Sequence, residues 1–433
     1  MTASDRSPHS HARAAILSCG DELALGETLD TNSQYLARQL ADLGIETVEH
    51  VTVGDDLHAT AEAFTRLSTR ADLVIATGGL GPTADDLTRQ ALALAMKDEL
   101  VEDPFALEEI RAWFTGRGRV FSEMNRVQAL RPSRGRCLPN PHGTAPGLAA
   151  RLGSADVYCL PGPPREMKPM FESRVVPELA PPAGARVRTR ILGTVGLGES
   201  QVAQSLGELM QRDRLERGLV QVGTTASGGI VACRARVRGG EDQLDEAAAI
   251  IRTRLGAAVF AEAHHDLPRA IVERLSSRGE TVATAESCTG GLLAGAITAI
   301  PGSSACFHAG WTCYSNAIKS SQLGVPEALF ASVGAVSREV AGAMARGALE
   351  RAGGHWALSV TGIAGPEGGT EQKPVGTVYI GLASRAGALD VRRFAMIGTR
   401  ADVRAWSVTA ALAMLHLHTA GAPEMRLLRQ TEG

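Results

Sequence analysis

The sequence predicts an α/β protein built from three domains, and three observations support this prediction. The chain has 433 residues, which at ~150 residues per domain corresponds to about three domains. Short apolar runs alternate with helical segments, a pattern typical of parallel sheets with helices on both faces. Two connectors interrupt this alternation: a proline-rich segment at residues 181–184 and a pair of histidines at residues 264–265. We place the domain boundaries there.

Composition and charge exclude several classes of protein. Lys and Arg total 44 and Asp and Glu total 47, so the formal net charge is −3, and we expect no direct contact with nucleic acid. The apolar stretches are shorter than the ~20 residues of a membrane span, and we expect no membrane association. The seven cysteines have no Cys-x-x-Cys spacing, which favours a reducing, cytoplasmic location. Residues 1–13 are polar and are predicted to form a disordered extension.

The first predicted domain covers residues 14–182 and alternates strands with helices. It begins with an apolar strand from Ala14 to Cys19, and Asp30 or Thr31 can cap a helix that stops at Gly44. Strands at 45–53, 71–77 and 156–160 and helices at 57–68 and 165–179 follow. This order predicts a doubly wound domain, whose ligands bind where the parallel strands end.

Two further domains follow. Residues 186–263 are predicted to form a small α+β domain, with strands at 187–195 and on both sides of Ser227-Gly228-Gly229, and helices at 198–212 and 242–255. Residues 267–420 are predicted to form a second α/β domain. It has helices at 267–278 and 402–418, an apolar helix after Gly291, and strands at 281–285, 307–314, 356–361, 375–383 and 391–397.

A glycine-rich loop marks a candidate ligand site in the first domain. The run Thr77-Gly-Gly-Leu-Gly-Pro-Thr-Ala-Asp-Asp lies where a strand meets a helix. Gly78, Gly79 and Gly81 would let backbone N–H groups approach a phosphate. Asp85 and Asp86 could hold a divalent cation, although they could equally be caps of a tight turn.

Three more turn-rich loops are predicted to lie at the same sheet edge. They are Cys19-Gly-Asp-Glu-Leu, Asn140-Pro-His-Gly-Thr-Ala-Pro-Gly and Pro161-Gly-Pro-Pro-Arg-Glu-Met. Four such loops exceed what a fold requires, so we expect a binding site there. Its candidate residues are Asp21, Glu22, Gly78, Gly79, Gly81, Thr83, Thr144 and Glu166.

These four loops resemble the molybdopterin-binding-like domain of the CinA family, which is related to MoaB and MogA. The resemblance implies an ADP-ribose pyrophosphatase activity that needs a divalent metal (Mg, Mn or Co), with Asp85 and Asp86 as its ligands. The middle domain resembles the KH-type domain of the same family. It lacks a basic Gly-x-x-Gly clamp, so this resemblance carries no expectation of nucleic-acid binding.

The third domain resembles the nicotinamide-nucleotide amidohydrolase (PncC, CinA C-terminal) domain. The matching runs begin at Ala285, Pro301, Tyr314, Gly334, Thr361 and Lys373: Ala-Glu-Ser-Cys-Thr-Gly-Gly, Pro-Gly-Ser-Ser, Tyr-Ser-Asn, Gly-Ala-Val-Ser, Thr-Gly-Ile-Ala-Gly-Pro and Lys-Pro-Val-Gly-Thr-Val. The resemblance implies a homodimer that hydrolyses nicotinamide mononucleotide to nicotinate mononucleotide and ammonia without a cofactor.

Amide hydrolysis requires a nucleophile and a base. Of the histidines, only His308 lies close to these motifs in sequence, which leaves a Ser–Lys pair, and Ser304 and Lys319 occur in adjoining motifs. Ser287 and Cys288 are rival nucleophiles, although their loop is equally suited to binding phosphate.

The resemblance assigns Ser304 and Lys319 the same two roles. It places Tyr314 and Thr361 in the catalytic centre, and it leaves Arg400 and Arg404 as alternatives for the substrate-binding arginine. The remaining predicted substrate-binding residues are Ser287, Thr289, Gly290, Gly291, Asn316 and Gly362.

A function of a different class stays open. The family name also fits a pterin- or nucleotide-binding regulatory protein in competence or the response to DNA damage. Release of ammonia from nicotinamide mononucleotide would distinguish the enzyme from such a regulator.

Overall fold

The fold is described from a computed structural model that covers residues 10–215 and 217–432. The chain divides into two compact units, with the division between Arg188 and Thr189. The first unit contains one large sheet, and the second contains a four-stranded and a six-stranded sheet. The predicted α/β class with three domains is confirmed. Among the described residues, no helix is both long and apolar enough to cross a membrane.

The first unit alternates strands and helices. Its elements are β1 (Arg13–Cys19), α1 (Asp21–Ala24), α2 (Thr31–Asp42), β2 (Glu46–Val53), α3 (Leu57–Ser68), β3 (Leu73–Thr77), α4 (Thr88–Met96), β4 (Leu100–Glu102), α5 (Pro104–Thr115), β5 (Leu130–Pro132), β6 (Arg136–Leu138), β7 (Gly147–Leu152), β8 (Ala155–Leu160) and α6 (Pro164–Met170). The main sheet has the order β2-β1-β3-β8-β7-β6. The first four strands are parallel, whereas β7 and β6 are antiparallel because short connections join them to β8.

Helices cover both faces of this sheet, as a doubly wound fold requires. In β1, Ala15 and Leu17 belong to a core that includes Phe64 of α3, whereas Ile16 belongs to a second core with Leu36 of α2. Alternate residues of one strand therefore face different cores, since successive side chains point to opposite faces.

Two sequence-based expectations for this unit need correction. His11 is buried and its Nε2 lies 3.0 Å from Asp156 Oδ2, so ordered structure begins before residue 13; residues 1–9 of the predicted extension lie outside the described residues. The helix expected at 165–179 is α-helical only to Met170. Pro169 has no backbone N–H to donate to the helix, so the regular hydrogen bonding is interrupted there. A π-helical turn and then a 3₁₀ turn continue the chain to Glu178.

The second unit begins with a small α+β domain that packs around its own core. Its elements are β9 (Arg188–Val195), α7 (Glu199–Leu206), β10 (Gln221–Ser227), β11 (Ile230–Val237), α8 (Glu241–Leu255) and β12 (Val259–Ala261). The sheet order is β10-β11-β9-β12.

The remaining chain forms the C-terminal domain, the second α/β domain. Its elements are α9 (Leu267–Arg278), β13 (Val282–Glu286), α10 (Leu292–Thr298), β14 (Phe307–Thr312), α11 (Asn316–Leu323), α12 (Glu327–Ser332), α13 (Arg338–Ala352), β15 (Trp356–Gly362), β16 (Thr377–Ser384), β17 (Leu389–Ala395), α14 (Arg400–Thr419) and β18 (Gln430–Thr431). The sheet order is β14-β13-β15-β16-β17-β18. Only β14, β13 and β15 are parallel, so their carboxyl ends share one edge.

Helix α13 packs closely on α11 through a glycine. A Cβ added at Gly347 would lie 1.9 Å from the carbonyl oxygen of Leu323, the last residue of α11. Any larger side chain there would push the two helices apart. This contact therefore sets the distance of α11 from the body of the domain.

We expect Gly347→Ala to lower the free energy of unfolding by about 2 kcal/mol, because the added methyl group overlaps a backbone carbonyl. Gly295→Ala in α10 is the matched control, since a Cβ there has no neighbour within 4 Å and alanine favours a helix. Denaturant unfolding of both variants measures the difference. Equal stability of the two would contradict the close packing of α11 and α13.

Candidate functional site

A cavity of about 430 Å³ opens where the parallel strands of the first unit end. Its walls come from the loops that follow β1, β3 and β8, together with the 140–147 loop. Most of the predicted residues line it: Glu22, Gly78, Gly79, Gly81, Thr83, Asp85, Asp86, Thr144 and Glu166. Asp21 lies outside the lining. Its carboxylate instead accepts a hydrogen bond from Asp55 N at 2.9 Å and joins two loops.

The glycine loop after β3 is possible only because side chains are absent. Gly78 and Gly79 have φ values of 94° and 62°. A Cβ at Gly78 would lie 2.1 Å from the Cys19 carbonyl oxygen, and one at Gly79 would lie 2.3 Å from Thr88 Oγ1. Backbone therefore forms this wall of the cavity, as the sequence predicted.

A buried arginine that was not predicted from the sequence supports this loop from behind. Arg89 of α4 is 1% exposed, and its guanidinium donates to the carbonyl oxygens of Leu80 and Gly81. Burial lowers the pKa of Arg89 to about 10, so it is charged at neutral pH. Arg89 lies between the polar residues Thr88 and Gln90, before the apolar run Ala91–Met96, so the sequence gave no signal of its burial.

The two adjacent aspartates have different surroundings. Both oxygens of Asp86 are engaged by its own loop: Oδ1 accepts from Gly81 N at 2.7 Å, and Oδ2 accepts from Thr83 N at 2.9 Å. Asp86 therefore holds the turn, the alternative that the sequence left open. Asp85 is exposed at the cavity, and the neighbouring Thr83 side chain lowers its pKa.

The acidic groups around Asp85 do not form a complete metal site by themselves. Burial and the negative charges of Asp21, Asp85 and Glu22 raise the pKa of Asp55, so the carboxylates repel one another. In the described part of the chain, no three His, Cys, Asp or Glu side chains are grouped to hold a metal ion. Of the two aspartates, Asp85 has the exposed carboxylate that the ligand role implied by the family resemblance requires. A cation there would need phosphate and water ligands, as Mg²⁺ commonly has.

Glu166 and Thr144 mainly hold the 140–147 loop. Glu166 is 8% exposed, and its Oε2 accepts from Asn140 Nδ2 at 2.9 Å. A Cβ at Gly143 would overlap this carboxylate. Thr144 Oγ1 accepts from Gln128 Nε2 at 3.2 Å.

The second candidate site lies in the C-terminal domain, where β13, β14 and β15 end. The loop Ser287–Gly291 follows β13, Tyr314, Asn316 and Lys319 follow β14, and Thr361 and Gly362 end β15. Parallel strands thus bring three of the predicted motifs to one edge.

Glu286 fixes the Ser287–Gly291 loop. This buried carboxylate accepts hydrogen bonds from Gly291 N at 3.1 Å, Leu293 N at 2.9 Å and Ala294 N at 2.8 Å. It therefore satisfies the N–H groups at the start of α10. Glu286 belongs to the motif that begins at Ala285, and its role was not predicted from the sequence. Its position one residue before the loop was the available signal.

Lys319 is buried at this edge. It is 1% exposed, and its Nζ donates to the Tyr314 carbonyl oxygen at 3.0 Å. Burial lowers the pKa of Lys319, opposed by the thiols of Cys313 and Cys288. No Asp or Glu of the described residues forms an ion pair with it. The lysine has the environment that a general base requires.

The two arginines contact different parts of the site. Arg404 Nε donates to Cys288 O at 3.1 Å and its Nη2 to Thr289 O at 2.9 Å, so Arg404 supports the loop. Arg400 is exposed, and its Nη2 lies 3.1 Å from Tyr314 Oη. Of the two alternatives, Arg400 is the one open to a substrate.

Thr361 and Cys288 are less available for chemistry. Thr361 is buried, and its hydroxyl donates to Ala335 O at 2.8 Å. Burial raises the pKa of the Cys288 thiol to about 11, so it is protonated at neutral pH. A thiolate nucleophile is therefore disfavoured at this position.

Ser304 does not meet Lys319 within one chain. It lies in a short turn, Ser303–Ala305, that precedes β14, whereas Lys319 follows β14. Six strand residues span roughly 17–20 Å, far beyond the ~3 Å of a proton transfer. Helix α10 returns the chain from the carboxyl ends of the strands to their amino ends before β14 begins. The motifs of Ser304 and Lys319 adjoin in sequence but therefore lie far apart in space. Among the described residues, the exposed Ser304 hydroxyl has no hydrogen-bond partner.

Known families match each part of the chain. The family described as "Probable molybdopterin binding domain" matches residues 15–181, "Damage-inducible protein CinA KH domain" matches 189–261, and "CinA C-terminal domain" matches 264–418. A CinA-like protein of Geobacter metallireducens is 44% identical over 410 residues, which are 93% of this chain and 97% of the relative. One of Frankia casuarinae is 42% identical over 436 residues, with 97% and 99% covered. The chain belongs to the CinA family.

Proposed function

We propose that the C-terminal domain hydrolyses the carboxamide of nicotinamide mononucleotide to give nicotinate mononucleotide and ammonia. The observation that carries the proposal is Lys319, a buried lysine with a lowered pKa and no acidic partner among the described residues. It lies at the sheet edge that also carries a glycine loop and the exposed Arg400. A base, a backbone loop and a cation suit an amide substrate that bears a phosphate.

The proposed reaction is acyl transfer in two steps. A serine Oγ attacks the carboxamide carbon while the neutral amine of Lys319 accepts the hydroxyl proton. The C–N bond then breaks, and ammonia leaves with the proton from Lys319. Water attacks the resulting ester with Lys319 again as base, releasing the acid and the serine. Arg400 is the proposed ligand of the substrate phosphate, and Arg404 is a positioning residue.

Ser304 is the proposed nucleophile, and because it lies far from Lys319 within one chain, the proposal requires that a second copy of the chain supplies it. Ser287 of the same chain is the alternative. Ser287 lies in the loop that Glu286 and Arg404 support, at the same edge as Lys319. We expect Ser304→Ala to abolish ammonia release and to leave nucleotide binding largely intact, because only the attacking oxygen is lost. A dead Ser287→Ala beside an active Ser304→Ala would transfer the role to Ser287.

We expect deamidation to rise with pH through a pKa below that of an ordinary lysine, because only the neutral Lys319 amine accepts a proton. Lys319→Ala should lower kcat by at least ~100-fold, the scale of general-base catalysis. Lys319→Arg should fail equally, since a guanidinium stays protonated. Ammonia release across pH measures both effects.

The control for this experiment is Cys288→Ala, which removes a buried, protonated thiol and should retain most of the activity. An unchanged rate in Lys319→Arg would contradict the assignment of the base. A wild-type protein that binds the nucleotide but releases no ammonia would favour a regulatory binding protein instead.

A second function is proposed for the first unit: cleavage of ADP-ribose with the help of a divalent metal. The cavity combines a side-chain-free glycine wall, suited to a diphosphate, with the exposed carboxylate of Asp85. A bound Mg²⁺, Mn²⁺ or Co²⁺ would neutralise phosphate charge there. Asp85 would hold it, and Arg89 and Asp86 would keep the loop in place.

We expect Asp85→Asn to weaken metal-dependent cleavage of ADP-ribose and to leave thermal stability unchanged, because Asp85 is exposed. Asp86→Asn is the matched variant. It should lower the Tm, since Asp86 accepts hydrogen bonds that form the turn. Phosphate release with added Mg²⁺ and thermal unfolding distinguish the two roles. Full activity in Asp85→Asn would refute its role as metal ligand.

A further inference from the structure

Lys373 begins the motif Lys-Pro-Val-Gly-Thr-Val, which has no part in the reaction proposed above. It lies in the loop 363–376, which joins β15 to β16. Its Nζ donates hydrogen bonds to the carbonyl oxygens of Val333 and Val336, each at 2.7 Å. Two bonds from one ammonium group therefore fasten this loop to the segment between α12 and α13.

The segment that receives Lys373 is itself held by side chains. The Ser337 hydroxyl donates to Gly334 O at 2.9 Å, and the Thr361 hydroxyl donates to Ala335 O at 2.8 Å. With the two bonds already described, the four successive carbonyl oxygens of this segment each accept a hydrogen bond from a side chain. Side chains from β15 and from the start of α13 therefore fix the point to which the loop is fastened.

The same loop holds Arg400, the proposed ligand of the substrate phosphate. Arg400 Nη1 donates to Gly365 O at 3.0 Å. The acceptor is a main-chain atom, so its position depends on the path of the loop. Gly365 is buried against Val375, since a Cβ added at Gly365 would lie 2.6 Å from Val375 Cγ1. Val375 follows Lys373 by two residues, so one short stretch of chain both fastens the loop and supports Gly365.

We propose that Lys373 is a positioning residue for recognition of the substrate phosphate. It fastens the loop so that Gly365 O accepts a hydrogen bond from Arg400 and orients the guanidinium. The inference rests on the proposed amidohydrolase function and on Arg400 as the phosphate ligand. It deepens that proposal by naming the residue that keeps the phosphate ligand in place.

An exposed arginine binds phosphate better when its side chain is already held. A free side chain loses rotamer entropy on binding, and a fixed guanidinium loses less of it. The other contact of Arg400 is Tyr314 Oη at 3.1 Å, and Tyr314 is 62% exposed, so few neighbours fix that ring. Gly365 O is the firmer of the two supports. Lys373 therefore contributes to phosphate binding without contacting the phosphate.

The test measures kcat and KM for nicotinamide mononucleotide, and the Kd of the product nicotinate mononucleotide by calorimetry, in the full-length protein. Lys373→Met keeps the length of the side chain and removes both hydrogen bonds. We expect KM and the product Kd to rise about tenfold, the effect of losing a hydrogen bond to a charged group. The value of kcat and its pH profile should not change. Glu371→Gln, at an exposed position of the same loop, is the matched control and should leave every quantity unchanged.

A double-mutant cycle shows whether Lys373 acts through Arg400. Arg400→Ala should raise KM and the product Kd at least as much as Lys373→Met does. The double variant should bind no more weakly than Arg400→Ala alone, because a residue that acts only through another has no effect once that other residue is gone. Effects of the two substitutions that multiply in the double variant would overturn the inference.

A second variant keeps the test decisive if Lys373→Met does not fold. Val375→Ala removes the methyl groups that lie against Gly365 at a position that is 39% exposed, so we expect it to fold and to raise the product Kd by a smaller factor. An unchanged Kd in Val375→Ala, or a Lys373→Met that alters kcat but not KM, would overturn the inference and leave the amidohydrolase intact. A wild-type protein that binds the product but releases no ammonia would refute the proposed reaction, and the product affinities would still test Lys373.

Discussion

A charged side chain buried beneath a backbone loop is the interaction on which both candidate sites depend. In the C-terminal domain, the Glu286 carboxylate receives three backbone N–H groups. In the first unit, the Arg89 guanidinium binds two backbone carbonyls of the glycine loop. Each ion is expensive to bury, and the backbone groups of its loop compensate for that cost. The charge of Asp86 also favours the Arg89 cation. The loop therefore keeps one conformation, because any other would leave a buried charge unpaired.

Much of the fold could be predicted because its signals are local. Strand-to-helix alternation predicted the parallel part of each sheet. Gly78 and Gly79 predicted a loop in which the backbone leaves no room for side chains. The antiparallel halves were harder to anticipate, since an apolar strand has the same pattern in either orientation. The length of the helix after Pro163 was overestimated, because Pro169 fits the helical backbone angles but interrupts the helical hydrogen bonds.

The candidate sites show where sequence reasoning loses information. Tyr314 and Lys319 lie together in the fold because one short turn joins them. Ser304 and Lys319 occur in adjoining motifs, but a whole strand separates them in space. The sequence also could not distinguish Asp85 from Asp86, because only the folded loop shows which carboxylate accepts hydrogen bonds from the Gly81 and Thr83 N–H groups.

The two edges of the C-terminal sheet differ in a way that limits how far this sheet can grow by strand addition. At one edge lies the six-residue β14, and at the other lies β18, which has only two residues. A chain with two long open edges could add copies indefinitely and grow into a fibre. In this sheet only β14 offers an edge of more than two residues. Pairing of two copies through this sheet would use the long edge of both, and growth of the sheet by strand addition would then stop at two chains.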